Sequence, residues 1–175
     1  MEAVSNPPDA DCRLAETVMK ELRALSTVQD RLDQYAMHRF GINRTDLRAL
    51  DLIGQAGVIS PTALAVALGM STGATSAVLD RLEAAGYARR EPDPGHRRRT
   101  RVRQTLRAEE LGEEIFAPVI RGTLSQAAAY PDPVLAAIAE FLAAHRALLN
   151  RYLTTAAPAA INTDPSTSAS THPDP

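Results

Sequence analysis

The sequence predicts a mainly α-helical protein carrying one small β-hairpin, and three observations predict it. Aromatic residues make up only 4% of the 175, Trp is absent, and alanine and leucine abound, a composition that packs helices better than a β-sandwich. Apolar residues recur every three or four positions over most of the chain. That periodicity gives way once, where two β-leaning runs, Tyr87 to Arg90 and Thr100 to Thr105, flank a cluster that must turn, Glu91-Pro92-Asp93-Pro94-Gly95-His96.

In chain order, residues 1–10 are polar and proline-bearing and are expected to be flexible. From Asp11, Leu14, Val18, Leu22, Leu25, Val28, Leu32 and Tyr35 mark one long amphipathic helix over 11–41, ending near Phe40-Gly41. A helix this long needs more partner surface than a small protein offers, and pairing with a second subunit supplies it. Thr45-Asp46 is expected to cap a second helix with Leu47, Leu50, Leu52 and Ile53 as its apolar positions. Gly57-Val58-Ile59 leaves room for a single strand-like rung.

Ser60-Pro61 places a serine N-cap before proline at the first helical position, opening a short helix that Gly69 stops. Ser71 caps the next, which runs to about Ala85 before Gly86 and is expected to bury Ala74, Val78, Leu79 and Leu82. Helix, three-residue turn with glycine, helix is the helix-turn-helix layout. Its second helix leaves Thr72, Gly73, Thr75, Ser76 and Arg81 on or near the outward face, where hydroxyls and a helix N-terminus suit base edges and phosphate. After the hairpin, Thr105 caps a helix carrying Leu111, Ile115, Val119, Ile120 and Leu124, with Pro118 as a kink or local break. Asp132-Pro133 opens a last helix with Val134, Leu135, Ile138, Phe141, Leu142, Leu148, Leu149 and Leu153. Residues 106–155 read with 11–41 as a helical dimerisation layer around the segment 42–105. The Ala/Pro/Ser/Thr-rich stretch 156–175 is expected to be a disordered tail.

The net charge of −2 conceals an uneven distribution. Between Tyr87 and Arg107, eight arginines face only Glu91 and Asp93, a local +6, and the rest of the chain carries −8. A local patch rather than the global balance sets binding to a polyanion. A ribbon directly after the second helix makes a winged helix, and its Arg89, Arg97, Arg98, Arg99 and Arg101 are the candidate groove and phosphate contacts, with Ser60 and Ser71 at the helix starts. Double-stranded DNA is the expected partner.

The stretch Ser71 to Val102 resembles the MarR family of transcriptional regulators, and the order of elements resembles it from about Asp11 to Thr155. Asp80-Arg81-Leu82-Glu83-Ala84-Ala85-Gly86 is similar to the family's recognition-helix ending. Asp93-Pro94-Gly95-His96-Arg97-Arg98 is similar to its wing, with His96 where the family has a second Asp. Val102-Arg103-Gln104-Thr105 departs at Gln104, where the family buries Leu. The resemblance implies a homodimer with interlocked terminal helices, holding two winged-helix lobes over a pseudo-palindromic operator with half-sites about one helical turn apart. It also implies a repressor released by a small aromatic or lipophilic effector.

Other classes have less to stand on. Cys12 is the only cysteine, so an intrachain disulfide scaffold is excluded. Redox sensing through Cys12 is an alternative weakened by adjacent Asp11, which raises the thiol pKa, and by the lack of a resolving cysteine. His38, His96, His145 and His172 are scattered without metal-ligand spacing, and no cofactor is expected. No nucleophile elbow, Walker loop or His-Glu-x-x-His motif occurs, so no enzyme is expected. The uncharged run Leu52 to Leu79 holds Pro61 and four glycines, unsuited to a bilayer, and a cytoplasmic location without membrane contact is expected. A winged-helix protein-interaction module remains the other alternative, against which the arginine-rich wing argues.

Overall fold

The computed structural model describes residues 9–156 and, within them, the side chains of all but 9–12, 97, 98 and 156. Six helices and one hairpin follow in order: α1 (Asp9–Phe40), α2 (Arg44–Ala56), α3 (Pro61–Leu68), α4 (Thr72–Ala84), β1 (Ala88–Asp93), β2 (His96–Gln104), α5 (Leu106–Ala127) and α6 (Asp132–Ala156). All of the expected tail 156–175 but Ala156, which ends α6, and all but the end of the expected flexible segment 1–10 lie outside the described residues. The chain divides into two compact units after Val119, within α5.

The first unit holds the core. Ile53 of α2, Leu64 of α3, Val78, Leu79 and Leu82 of α4 and Val102 of β2 are all essentially inaccessible to solvent. Phe40 at the end of α1 meets Tyr87 edge-on with centroids 5.1 Å apart, and the Tyr87 hydroxyl donates to the Phe40 carbonyl at 2.9 Å. One buried aromatic pair therefore joins the end of the long helix to the base of the hairpin, and the tyrosine's polar tip is satisfied. The Arg107 guanidinium stacks over the Tyr87 ring, 4.9 Å from its centroid, and donates to the Ala85 carbonyl.

Helix α2 starts earlier than expected. Asn43, not Thr45-Asp46, is the N-cap, its side-chain oxygen accepting from the Asp46 backbone N–H at 2.9 Å. Asp46 lies one turn inside the helix and is buried (3% exposed). α3 and α4 are capped by Ser60 and Ser71 as expected, each accepting from the backbone N–H three residues on. Gly69, at φ 66°, occupies the left-handed turn between them, a conformation without steric cost only for glycine. The two helices are bent by 107°, within the range of helix-turn-helix pairs, about 90–120°.

The burial of α4 corrects one expectation. Thr75, not Ala74, joins Val78, Leu79 and Leu82 in the core, completing the i, i+3, i+4, i+7 face of a helix. A threonine is tolerated there because its hydroxyl donates to the Ser71 carbonyl at 3.0 Å, so no polar group is left orphaned.

The hairpin is longer than expected. β1 continues through Glu91-Pro92-Asp93, and β2 already begins at His96, leaving Pro94-Gly95 as the turn. A register irregularity between Pro92 and Asp93 accommodates the proline, and Asp93 Oδ1 accepts from Gly95 N at 2.9 Å to close the tip. Ile59 exchanges both backbone hydrogen bonds with Val102, at 3.0 and 2.8 Å, the expected single rung. Gln104 donates to the Leu50 carbonyl of α2 at 2.8 Å, which accounts for a polar residue at that place. Thr105 caps α5 as expected, and α5 runs on through Pro118 without a break.

The long helices leave apolar surface open. On α1, Leu14, Val18, Leu25, Val28 and Tyr35 are exposed although they form the predicted stripe, while Leu22 and Leu32 are half-buried. In the second unit, α6 exposes Ile138, Phe141, Leu142, Leu149 and Leu153, and the Phe141 and His145 rings stack with centroids 6.2 Å apart. No single described helix is long and apolar enough to cross a membrane.

Candidate nucleic-acid interface

Two capped helix starts and one cationic ribbon converge in the first unit. At the start of α4, Ser71, Thr72 and Gly73 are exposed, and the space that a side chain on Gly73 would enter is empty out to 4 Å. Unpaired N–H groups and the positive end of the helix dipole are therefore open to an approaching anion or base edge. Ser76, one turn on, is exposed, and its hydroxyl receives a hydrogen bond from Arg90 at 3.3 Å.

Ser60 at the start of α3 faces β2 across a cleft of about 650 Å³, lined by Val58 to Thr62 on one side and by Asp93, Arg99, Thr100 and Arg101 on the other. Among the described residues Arg101 Nε is buried without a hydrogen-bond partner. Arg99 is exposed, and Arg89 pairs with Glu91 at 2.7 Å while remaining more than half exposed. Arg97 and Arg98 lie in the backbone of β2, and their side chains are outside the described set.

The remaining predicted contacts are spoken for inside the fold. Thr75 is buried, so it cannot lie on the outward face. Arg81 grips Asp46 with two nitrogens, Nη2 at 2.6 Å from Oδ1 and Nε at 3.0 Å from Oδ2. The hydrogen bond to Asp46 raises the Arg81 pKa above its ordinary value, against the desolvation that lowers it. About half of the Arg81 side chain stays accessible, but its fork is committed to joining α4 to α2.

The bonds that Asp46, Glu83 and Gln104 make to Arg81, Arg90 and the Leu50 carbonyl are not legible in the sequence pattern. For Asp46 a signal existed: Asn43 three residues before an acidic residue has the spacing of a capping box, and that would have moved the helix start. Gln104 reaches Leu50 of α2, 54 residues away, and Glu83 reaches Arg90 across a helix-to-strand turn, and no helical or strand periodicity reports either pairing. The local +6 also overcounts the wing, because Arg90 and Arg107 are engaged in contacts with the helical core.

Comparison with known proteins places this geometry. Residues 40–99 match the model of the MarR family. Over 129 residues the chain is 32% identical to an uncharacterised HTH-type transcriptional regulator, YcgE, of Bacillus subtilis, covering 74% of this chain and 84% of that protein. The chain belongs to the MarR family. Among solved structures, the transcriptional regulator Tm0710 of Thermotoga maritima is similar with a TM-score of 0.55 at 23% identity, over 79% of this chain and 98% of that one. The YusO protein of Bacillus subtilis gives 0.53 at 19% identity over the same shares. Both likenesses concern the fold. The winged helix-turn-helix in a mainly α-helical MarR-family chain is the fold class that the sequence predicts.

Proposed function

We propose that this MarR-family chain is a sequence-specific transcriptional regulator that grips a pseudo-palindromic operator as a homodimer. The observation that carries the reading is the uncovered start of α4 beside a hairpin whose Arg99 and Arg101 face the start of α3. The open start of α4, with Ser71, Thr72 and Gly73 and with Ser76 one turn on, reads the major groove through short contacts. The cleft between Ser60 and β2, lined by Arg99 and Arg101, takes a backbone phosphate. Phosphate contacts then set affinity and orientation, and the weakly charged helix sets sequence preference.

The exposed apolar residues along α1, and separately those along α6, support the homodimer, because an apolar helix face of this kind is normally covered by a partner. Two symmetric lobes suit two half-sites. Repression, and its release by a small aromatic or lipophilic effector, complete the reading. The effector acts by favouring a lobe spacing that does not fit the operator.

The test is fluorescence anisotropy of the full chain on its own upstream DNA and on random duplex across a salt series. Binding that weakens linearly in log–log form with salt, and that prefers the upstream DNA, supports the reading. A flat salt response, or equal affinity for random duplex, overturns it in favour of a protein-binding winged helix.

A further inference from the structure

One cation of the wing points inward. The Glu83 carboxylate on α4 accepts the backbone N–H of Arg90 at 2.7 Å and also the Arg90 guanidinium. The same guanidinium reaches Asp80 Oδ1 at 2.8 Å, the Ser76 carbonyl at 3.2 Å and the Ser76 hydroxyl at 3.3 Å. Ser76, Asp80 and Glu83 stand at i, i+4 and i+7, so they form one stripe along α4 and a single side chain on β1 spans it. Only about a quarter of the Arg90 side chain is exposed. Across the ribbon Arg90 is paired with Val102, which is buried and bonded to Ile59 on its other side. The hairpin is therefore tied at one level twice, through Arg90 to α4 and through Val102 to Ile59, which precedes the Ser60 cap of α3. Beyond that level, the described side chains of β1 and β2 make no comparable tie to the helices.

We infer that Arg90 is a positioning residue: its fork on Ser76, Asp80 and Glu83 fixes the angle between wing and recognition helix, and it is not itself a phosphate contact. The inference rests on the DNA-binding reading above. Two prongs bind one rigid duplex well only when their mutual angle is already set, so that ordering them is not charged against binding. Electrostatics alone makes the opposite forecast for Glu83. Removing a negative charge from a surface that meets a polyanion should tighten binding.

The experiment measures wild type, Glu83→Gln, Arg90→Gln, the double variant and Arg90→Lys by anisotropy, on upstream DNA and on random duplex across a salt series. Thermal melts fix a temperature at which every variant is folded. Glu83→Gln and Arg90→Gln are each expected to weaken operator binding by roughly threefold to thirtyfold, with the double variant no worse than either, as for two members of one interaction. The slope of log K against log salt and the affinity for random duplex should stay at wild-type values, which a loss of folded protein or of a phosphate contact would not allow. Arg90→Lys should behave as Arg90→Gln does, because an ammonium keeps the charge but cannot span the three partners. Tighter operator binding by Glu83→Gln overturns the inference. So does a slope reduced by about one in Arg90→Gln with a parallel loss on random duplex, or a wild-type-like Arg90→Lys. If wild type itself shows no preference for upstream DNA, the DNA-binding reading fails first and the inference falls with it.

Discussion

Gly54 and Gln104 offer a worked test of how the wing is fastened to the helices. A Cβ added at Gly54 would stand 2.7 Å from Gln104 Nε2, the atom that donates to the Leu50 carbonyl at 2.8 Å. Ordinary contact begins near 3.4 Å, so the amide must retreat by more than half an ångström, and a retreat along the bond stretches it to the limit of hydrogen-bond range. Gly54→Ala thus sets two effects of similar size against each other. Replacing glycine within a helix stabilises by about 0.8–1 kcal/mol, and losing a part-buried hydrogen bond costs about 0.5–1.5 kcal/mol. The single substitution should leave stability nearly unchanged. In a Gln104→Ala background the obstacle is gone and the full helix gain of about 1 kcal/mol should appear, a coupling of similar size. Urea unfolding at fixed protomer concentration reads this as a midpoint shift of about 0.3–1 M in one background and almost none in the other. Equal stabilisation in both backgrounds would refute the reasoning, because Gln104 would then not be bonded to α2.

Other outcomes follow from the same geometry. Thr75→Val should change stability by about 1 kcal/mol or less and leave operator affinity and its salt slope unchanged, whereas a base contact at Thr75 would show as lost sequence preference. Arg99→Ala and Arg101→Ala together should lower the slope of log K against log salt by about two and weaken operator and random duplex alike. Ser71→Ala should destabilise by about 1 kcal/mol through loss of the α4 cap, measured by urea unfolding. Leu149→Glu on α6 should shift sedimentation from dimer to monomer and weaken operator binding, while a mass already monomeric in wild type would contradict the proposed pairing.

How much of this was legible in the sequence varied with the range of the interaction. Caps and stops are local, so Ser60-Pro61, Gly69, Ser71 and Thr105 could be placed by their neighbours alone. The rung at Ile59 was legible because a β-leaning triplet between two helix signals has no other use. Errors arose where a polar residue is satisfied by a partner that periodicity does not reveal. Thr75 reads as an outward hydroxyl until the Ser71 carbonyl behind it is seen. Arg81 and Arg90 read as wing or groove cations until their carboxylates are located, 35 and 7 residues away. The strand ends were misjudged for a different reason. Proline and aspartate within Glu91-Pro92-Asp93 are strong turn formers, but a two-stranded ribbon absorbs them at a register irregularity. The apolar stripe of α1 was legible as a stripe, and its exposure in the isolated chain is what points to a partner.

The central claim, that two copies present two recognition helices to one duplex, is tested most directly by hydroxyl-radical footprinting of the full chain on its upstream DNA. The account predicts two symmetric protected segments whose centres lie about 10 base pairs, one helical turn, apart. They should appear at the same protein concentration. A single protected half-site, or protection without any preferred position, would contradict it.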